Sequence, residues 1–218
     1  MTVAGSAAKK QPLWDGAIRA THWLIVLLVA ACWWTAENGE IVYHTYCAYG
    51  LLGVVLFRFY WGFFGSSTAR FSHFLKKPST VWQYLKALPQ RGTPASAGHN
   101  PLGGYSALAL LLLLLVQIVL GLFAIDVDGF DGGPFADYLS FRASRMLTGW
   151  HEFTFNLLLV FIALHIVAIA YYLLWRKQNL TAAMFHGRAN VSPAMTPVGF
   201  GRLAFGVLLA AAVVWLIV

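Results

Sequence analysis

Four stretches of this 218-residue chain, roughly 20–36, 41–64, 104–125 and 150–175, are apolar over the length of a membrane-crossing helix. Such a helix needs about 20 residues to span a hydrocarbon core of about 30 Å. A fifth run, LAFGVLLAAAVVWLIV from Leu203, has 16 residues and reaches about 20 when Val198 to Arg202 join it. The runs are solidly apolar rather than alternating. They therefore read as helices, which satisfy their own backbone in lipid, and not as barrel strands. Only 11% of the residues are charged, against roughly 25% in a soluble domain. The expected fold class is an all-α integral membrane protein.

Loop charges give an expected orientation. Lys9, Lys10 and Arg19 precede or open the first span, Arg70, Lys76, Lys77, Lys86 and Arg91 fill the 65–103 loop, and Arg176, Lys177 and Arg188 follow the fourth span. The other two loops carry Glu37, Glu40, Asp126, Asp128, Asp131 and Asp137 against Arg142 and Arg145. Positive loops stay cytoplasmic, so the N-terminus is expected inside and the end of a fifth span outside. The net charge of +7 does not point to nucleic acid, because the basic residues flank apolar spans instead of lining a soluble face. VAAC at 29–32 has the form of a lipoprotein cleavage box that would make residues 1–31 a signal peptide. The long preceding tail and the apolar WW after Cys32 favour a span. Within 65–103, VWQYLKALPQR reads equally as an amphipathic surface helix, with Lys86 and Arg91 toward headgroups, or as a solvated turn.

Seven histidines occur. His73, His99 and His186 fall in basic loops and read most simply as solvated. His22, His44, His151 and His165 lie in the spans, where ionisable groups are rare and mark function. His151 and His165 are 14 residues apart, nearly four turns, so they share a face about 21 Å apart along the axis. Span directions put His22 level with His165 near the inner surface, and His44 level with His151 near the outer one. A zinc site would draw three or four ligands to one place. Two imidazoles at each of two depths instead suit haem iron with both axial positions filled, an electron carrier. The absence of C-x-x-C-H argues against covalent c-type haem. No residue is expected to be catalytic.

Other polar and small residues are less sharply defined. Arg58, 14 residues after His44, reads either as a partner for an inner haem propionate or as an arginine snorkelling to the interface. Gly50, Gly53 and Gly121 read as room for a flat ring or for close helix contact. Gln117 and Asn156 are expected to make interhelical hydrogen bonds, and Cys32 and Cys47 to be small packing residues. Glu152, beside His151 at the outer face, reads as an acid that takes up or releases protons or, more commonly, as a plain interfacial residue. DVDGFDGG from Asp126 departs from a calcium loop at Phe130 and Asp131, leaving an acidic surface suited to a basic partner.

The segments RATHWLIVLL (19–28), VLFRFYWGFFGSSTARF (55–71), GHNPLGGYSALALLLLLLVQIVLGLF (98–123) and HEFTFNLLLVFIALHIVA (151–168) resemble the bacterial di-haem cytochrome b561 family, which includes the b-type cytochrome subunits of nickel–iron hydrogenases. The resemblance implies a four-helix core enclosing two haem b groups, with His22, His44, His151 and His165 as iron ligands. It also implies electron transfer between membrane quinone, ubiquinone or menaquinone, and a redox partner such as a periplasmic cytochrome, hydrogenase or dehydrogenase. Residues 1–187 would form the cytochrome domain, and 188–218 a tail carrying an extra transmembrane helix like that of some members. The expected location is the bacterial inner membrane. The chain reads as an electron-transfer subunit more than a self-contained oxidoreductase. Two rivals remain at this stage, a quinone-linked oxidase or reductase of a small substrate such as superoxide, and a proton- or metal-coupled transporter using a histidine relay.

Overall fold

A computed structural model describes residues 10–90 and 98–218; Lys9 and Arg91 of the orientation argument lie outside these residues. Along the described chain run β1 (Gln11–Pro12), α1 (Gly16–Glu37), α2 (Ile41–Phe64), α3 (Phe71–Phe74), α4 (Pro78–Ala87), α5 (Pro101–Leu122), α6 (Phe141–Leu174), α7 (Leu180–His186), β2 (Arg188–Ala189) and α8 (Phe200–Ile217). Five of the described helices, α1, α2, α5, α6 and α8, are long and apolar enough to cross a membrane. Leu24, Leu27, Val160, Leu164, Val167, and Leu208 stand exposed on them, facing where lipid belongs. The protein is a multi-pass helical bundle in a lipid environment.

Local chemistry sets the helix starts. Asp15, Asn100 and Ser140 cap α1, α5 and α6 by accepting from the backbone N–H of Ile18, Gly103 and Ala143, the donors that a helix cannot satisfy itself. Pro78 and Pro101 sit in the first turns of α4 and α5, where a missing N–H costs nothing. The short turn at Asn38–Glu40 makes α1 and α2 antiparallel neighbours.

Sequence and structure differ most at α6. The apolar run suggests a start near residue 150, but the helix begins at Phe141 and has 34 residues, about 51 Å at 1.5 Å per residue. Arg142 and Arg145 thus belong to a helix and not to a loop. Its early turns are polar, so apolarity does not report them; side-chain bonds hold them instead. Ser144 Oγ donates to the Ala136 carbonyl, and Arg145 Nη1 and Thr148 Oγ1 both donate to Ile125.

The opposite, basic end is closed by a collar. β1 pairs antiparallel with β2, Thr68 Oγ1 donates to the Leu13 carbonyl at 2.6 Å, and Arg19 Nη1 to that of Phe185 at 2.7 Å. Asp15 serves twice more, accepting from Trp61 Nε1 at 2.9 Å and from Ser66 Oγ. α4 occupies the stretch left open between surface helix and turn. Beyond it, Leu88 accepts from Tyr171 Oη and Arg176 Nη1, and Tyr84 meets Tyr172 by their hydroxyls.

The transmembrane helices pack in the order α1–α2–α5–α6, with α8 on the outside of α2. α8 docks through small residues one turn apart. Gly206 abuts the Tyr60 and Phe57 rings, Ala210 is buried, and Val214 lies against Gly53. Gly50 contacts Leu28 of α1, so Gly50 and Gly53 serve helix contact. A Cβ at Gly206 has no room beside Tyr60. Gly206→Leu is expected to weaken α8 docking by about 1–3 kcal/mol, read as a lower melting temperature in detergent and faster proteolysis after Ala189.

Candidate functional site

Two parallel stripes of side chains organise the interior. Along α2 stand His44, Leu51 and Arg58, and along α6 stand His151, Leu158 and His165, each seven residues from the next. Seven residues are close to two helical turns, so each stripe stays on one face. Both helices run from the acidic end to the basic end. Leu51 and Leu158 are buried together with Leu52, Val55, Leu114 and Ile118, forming an apolar layer between two polar levels. α6 packs along α5 and makes no comparable backbone approach to α1 or α2, which leaves side chains to fill the space between them.

At the acidic level the structure brings His44 and His151 together, ring centres 6.2 Å apart and planes at 80°. His44 Nδ1 donates to the Cys32 carbonyl at 2.8 Å, and His151 Nδ1 to that of Gln117 at 2.9 Å. A carbonyl can only accept, so these bonds fix the proton on Nδ1 and leave the Nε2 lone pair available. Gln117 Nε2 approaches His151 Nε2 at 3.0 Å, and its Oε1 accepts from Thr154 Oγ1. Gln117 thus makes the interhelical bonds expected of it. Asn156 does not, because its amide donates back to Glu152 of its own helix and its side chain faces outward. Gly121 gives the His151 ring its place on α5, since an added Cβ would lie 3.0 Å from Cε1. Cys32 is buried and unpaired, and Cys47 packs against the same core. In the acidic loop, Asp126 Oδ1 accepts from the Phe130 N–H, and Glu152 is exposed.

At the basic level His22 and His165 lie within electrostatic reach of each other. Arg58 is only 7% exposed, its Cζ 5.6 Å from the Phe71 ring centre and its Nη1 enclosed without a hydrogen-bond partner among the described residues. It is sealed inside and does not snorkel. His99 and His73 correct the sequence reading, since neither is simply solvated. The His99 ring stands edge-on to Trp14 at 4.8 Å and tilted against Phe74 at 4.6 Å. Burial pushes its pKa down to about 3, with Arg58, His165, His22 and His73 adding to the effect, so the ring is neutral. Burial, then Lys76 and Arg70, also lowers His73. His186 is exposed, as expected. The signal that places His99 was present in the chain, namely its position directly before the Asn100–Pro101 start of α5.

The donor set suits a planar group held between imidazoles. Two imidazoles flanking one metal at about 2 Å from each nitrogen would have ring centres roughly 6 Å apart, the separation of His44 and His151. The orphaned Arg58 Nη1 at the other level calls for an anionic acceptor such as a carboxylate.

A helical membrane bundle with histidines facing one another across its interior has the frame of a membrane cytochrome. The sequence profile of prokaryotic cytochrome b561 matches residues 13–187, and the chain belongs to that family. It is therefore a membrane b-type cytochrome that binds haem b and acts in electron transfer. No characterised protein and no solved structure matches the chain. Gly121→Val is expected to drive the His151 ring off α5 and reduce haem per chain, measured by pyridine haemochrome assay. Gly50→Ala, whose Cβ meets only the Leu28 side chain at 3.5 Å, should leave haem content unchanged.

Proposed function

We propose that the chain is a di-haem cytochrome that passes electrons across a bacterial inner membrane between quinone and a redox partner at the acidic face. In this reading His44 and His151 hold an outer haem, and His22 and His165 an inner one. The apposition of His44 and His151, each with Nδ1 committed to a carbonyl and Nε2 therefore unprotonated, carries the reading most strongly. Bound haem iron supplies the one-electron couple, and the protein supplies position, burial and electrostatics.

The chain's own residues define the rest. Held by imidazole nitrogens alone, the haem would supply one-electron transfer and not the binding of a small substrate. The Cys32 and Gln117 carbonyls orient the outer ligands and raise their basicity. Arg58 would neutralise an inner propionate in a dry setting. At the outer site, His151 Nε2 would hold the iron in place of its present contact with the Gln117 amide. Leu51 and Leu158 keep water out between the levels. Residues 1–187 serve as the cytochrome unit, and the tail from 188 adds α8 on the far side of α2.

Basic segments at the ends of α2 and α6 favour the cytoplasmic side for that end. The acidic end then faces the periplasm, where a cytochrome, hydrogenase or dehydrogenase subunit would dock. Ubiquinone or menaquinone, dissolved in the same bilayer, is the mobile exchange partner.

The purified protein should yield two haem b per chain by pyridine haemochrome; one or none refutes the reading. His165→Ala should remove one haem and spare the other, and His44→Ala should do the reverse, seen as separate losses in a redox titration of the visible bands. If neither substitution removes a haem, the ligand assignment fails. For orientation, alkaline phosphatase fused after Val218 should be active and the same fusion after Lys76 inactive; the opposite pattern overturns the topology.

A further inference from the structure

The two levels differ in how their polar atoms are satisfied. At the acidic level each histidine Nδ1 has a carbonyl partner. At the basic level one enclosed nitrogen on each of Arg19, His22, Trp23, Arg58, His73, His99 and Arg176 has none among the described residues. A buried donor left unpaired costs about 1–3 kcal/mol, more when charged. The Arg58 nitrogen, on a side chain 7% exposed, and the His99 nitrogen within its electrostatic reach suit an acceptor-rich anion.

His99 is the member that the chain positions most firmly. Gly98 adopts φ +114°, a conformation that L side chains rarely take. Asn100 caps α5 and donates through Nδ2 to the Tyr172 hydroxyl at 3.0 Å. Pro101 opens the helix. Between these anchors, Trp14 and Phe74 fix the His99 plane. Each residue of GHNP thus helps to hold one imidazole within electrostatic reach of Arg58, His22 and His165.

We propose that His99, acting beside Arg58, donates its Nδ1–H to a carboxylate of the inner haem and so is a positioning residue that sets that haem's potential. This rests on the di-haem reading above. The carboxylate's negative charge favours ferric iron, which carries one more positive charge than ferrous iron. A donor on the carboxylate spreads that charge and favours reduction. Removing the donor should lower the inner midpoint and leave the outer one unmoved.

The test uses the purified holoprotein in lipid nanodiscs, titrated by spectroelectrochemistry, with His165→Ala identifying the inner midpoint. His99→Phe should disfavour the reduced inner haem about tenfold, a shift of about 59 mV for one electron. His99→Gln, which keeps an N–H donor, should restore most of the wild-type value. Two bound haems with an unchanged inner midpoint in His99→Phe would overturn the proposal, as would a shift confined to the outer haem or a His99→Gln midpoint as low as that of His99→Phe. If His99→Phe loses the inner haem, His99→Gln decides. Two haems at the wild-type midpoint support a donor role, and loss in both variants shows a purely structural one. Failure of the di-haem reading looks different, with fewer than two haems in the wild type or none lost in His165→Ala, and the proposal falls with it.

Discussion

Lipid offers no hydrogen-bond partner, and the whole molecule is arranged around that constraint. It makes every crossing segment a helix, because a helix bonds its own backbone. It also governs the side chains. Asp15, Asn100 and Ser140 cap helix starts, and Thr21 and Thr35 fold back onto carbonyls of their own helix. Where the chain completes this satisfaction, at the acidic end, the histidines are already oriented. Where it stops short, at the basic end, enclosed nitrogens such as Arg58 Nη1 have no hydrogen-bond partner among the described residues. The contrast separates what the fold accomplishes alone from what it leaves to its cofactor.

Within that frame the helices have distinct tasks. α2 and α6 run in the same direction with matched polar–leucine–polar stripes, and α5 braces them, with Gly121 and Gln117 both against His151. α1 contributes His22 at one level and, through the Cys32 carbonyl, orients His44 at the other. α8 touches α2 on the face away from the stripes by way of Gly206, Ala210 and Val214. Its contribution is to packing and to the lipid-facing surface.

The spans were legible in the sequence because apolar length is a direct physical requirement of the bilayer. α2 was read at its observed bounds, and α1, α5 and α8 to within a few residues. The early turns of α6 escaped notice since they are polar and stabilised by Ser144, Arg145 and Thr148, contacts that depend on a distant loop. His99 was misread for a related reason. Loop residues are solvated by default, and only the tertiary approach of Trp14 and Phe74 covers this one. Asn156 shows the reverse error, for a mid-span amide can satisfy itself on its own helix. The ambiguity over Arg58 was between exposure and enclosure, a question of packing that spacing alone does not answer.

The heptad interval in α2 and α6 constrains how such a chain can change over time. Deleting one residue between His151 and His165 would rotate the second imidazole by about 100° and carry it off the shared face. Only a change near seven residues returns it, and His44, Leu51 and Arg58 would need the same change to stay level. Insertions and deletions are thus barred from these two segments, and the 123–140 loop is tied as well, because its Ile125 and Ala136 carbonyls anchor the start of α6. The distance between the two polar levels is inherited as a fixed step of the helix.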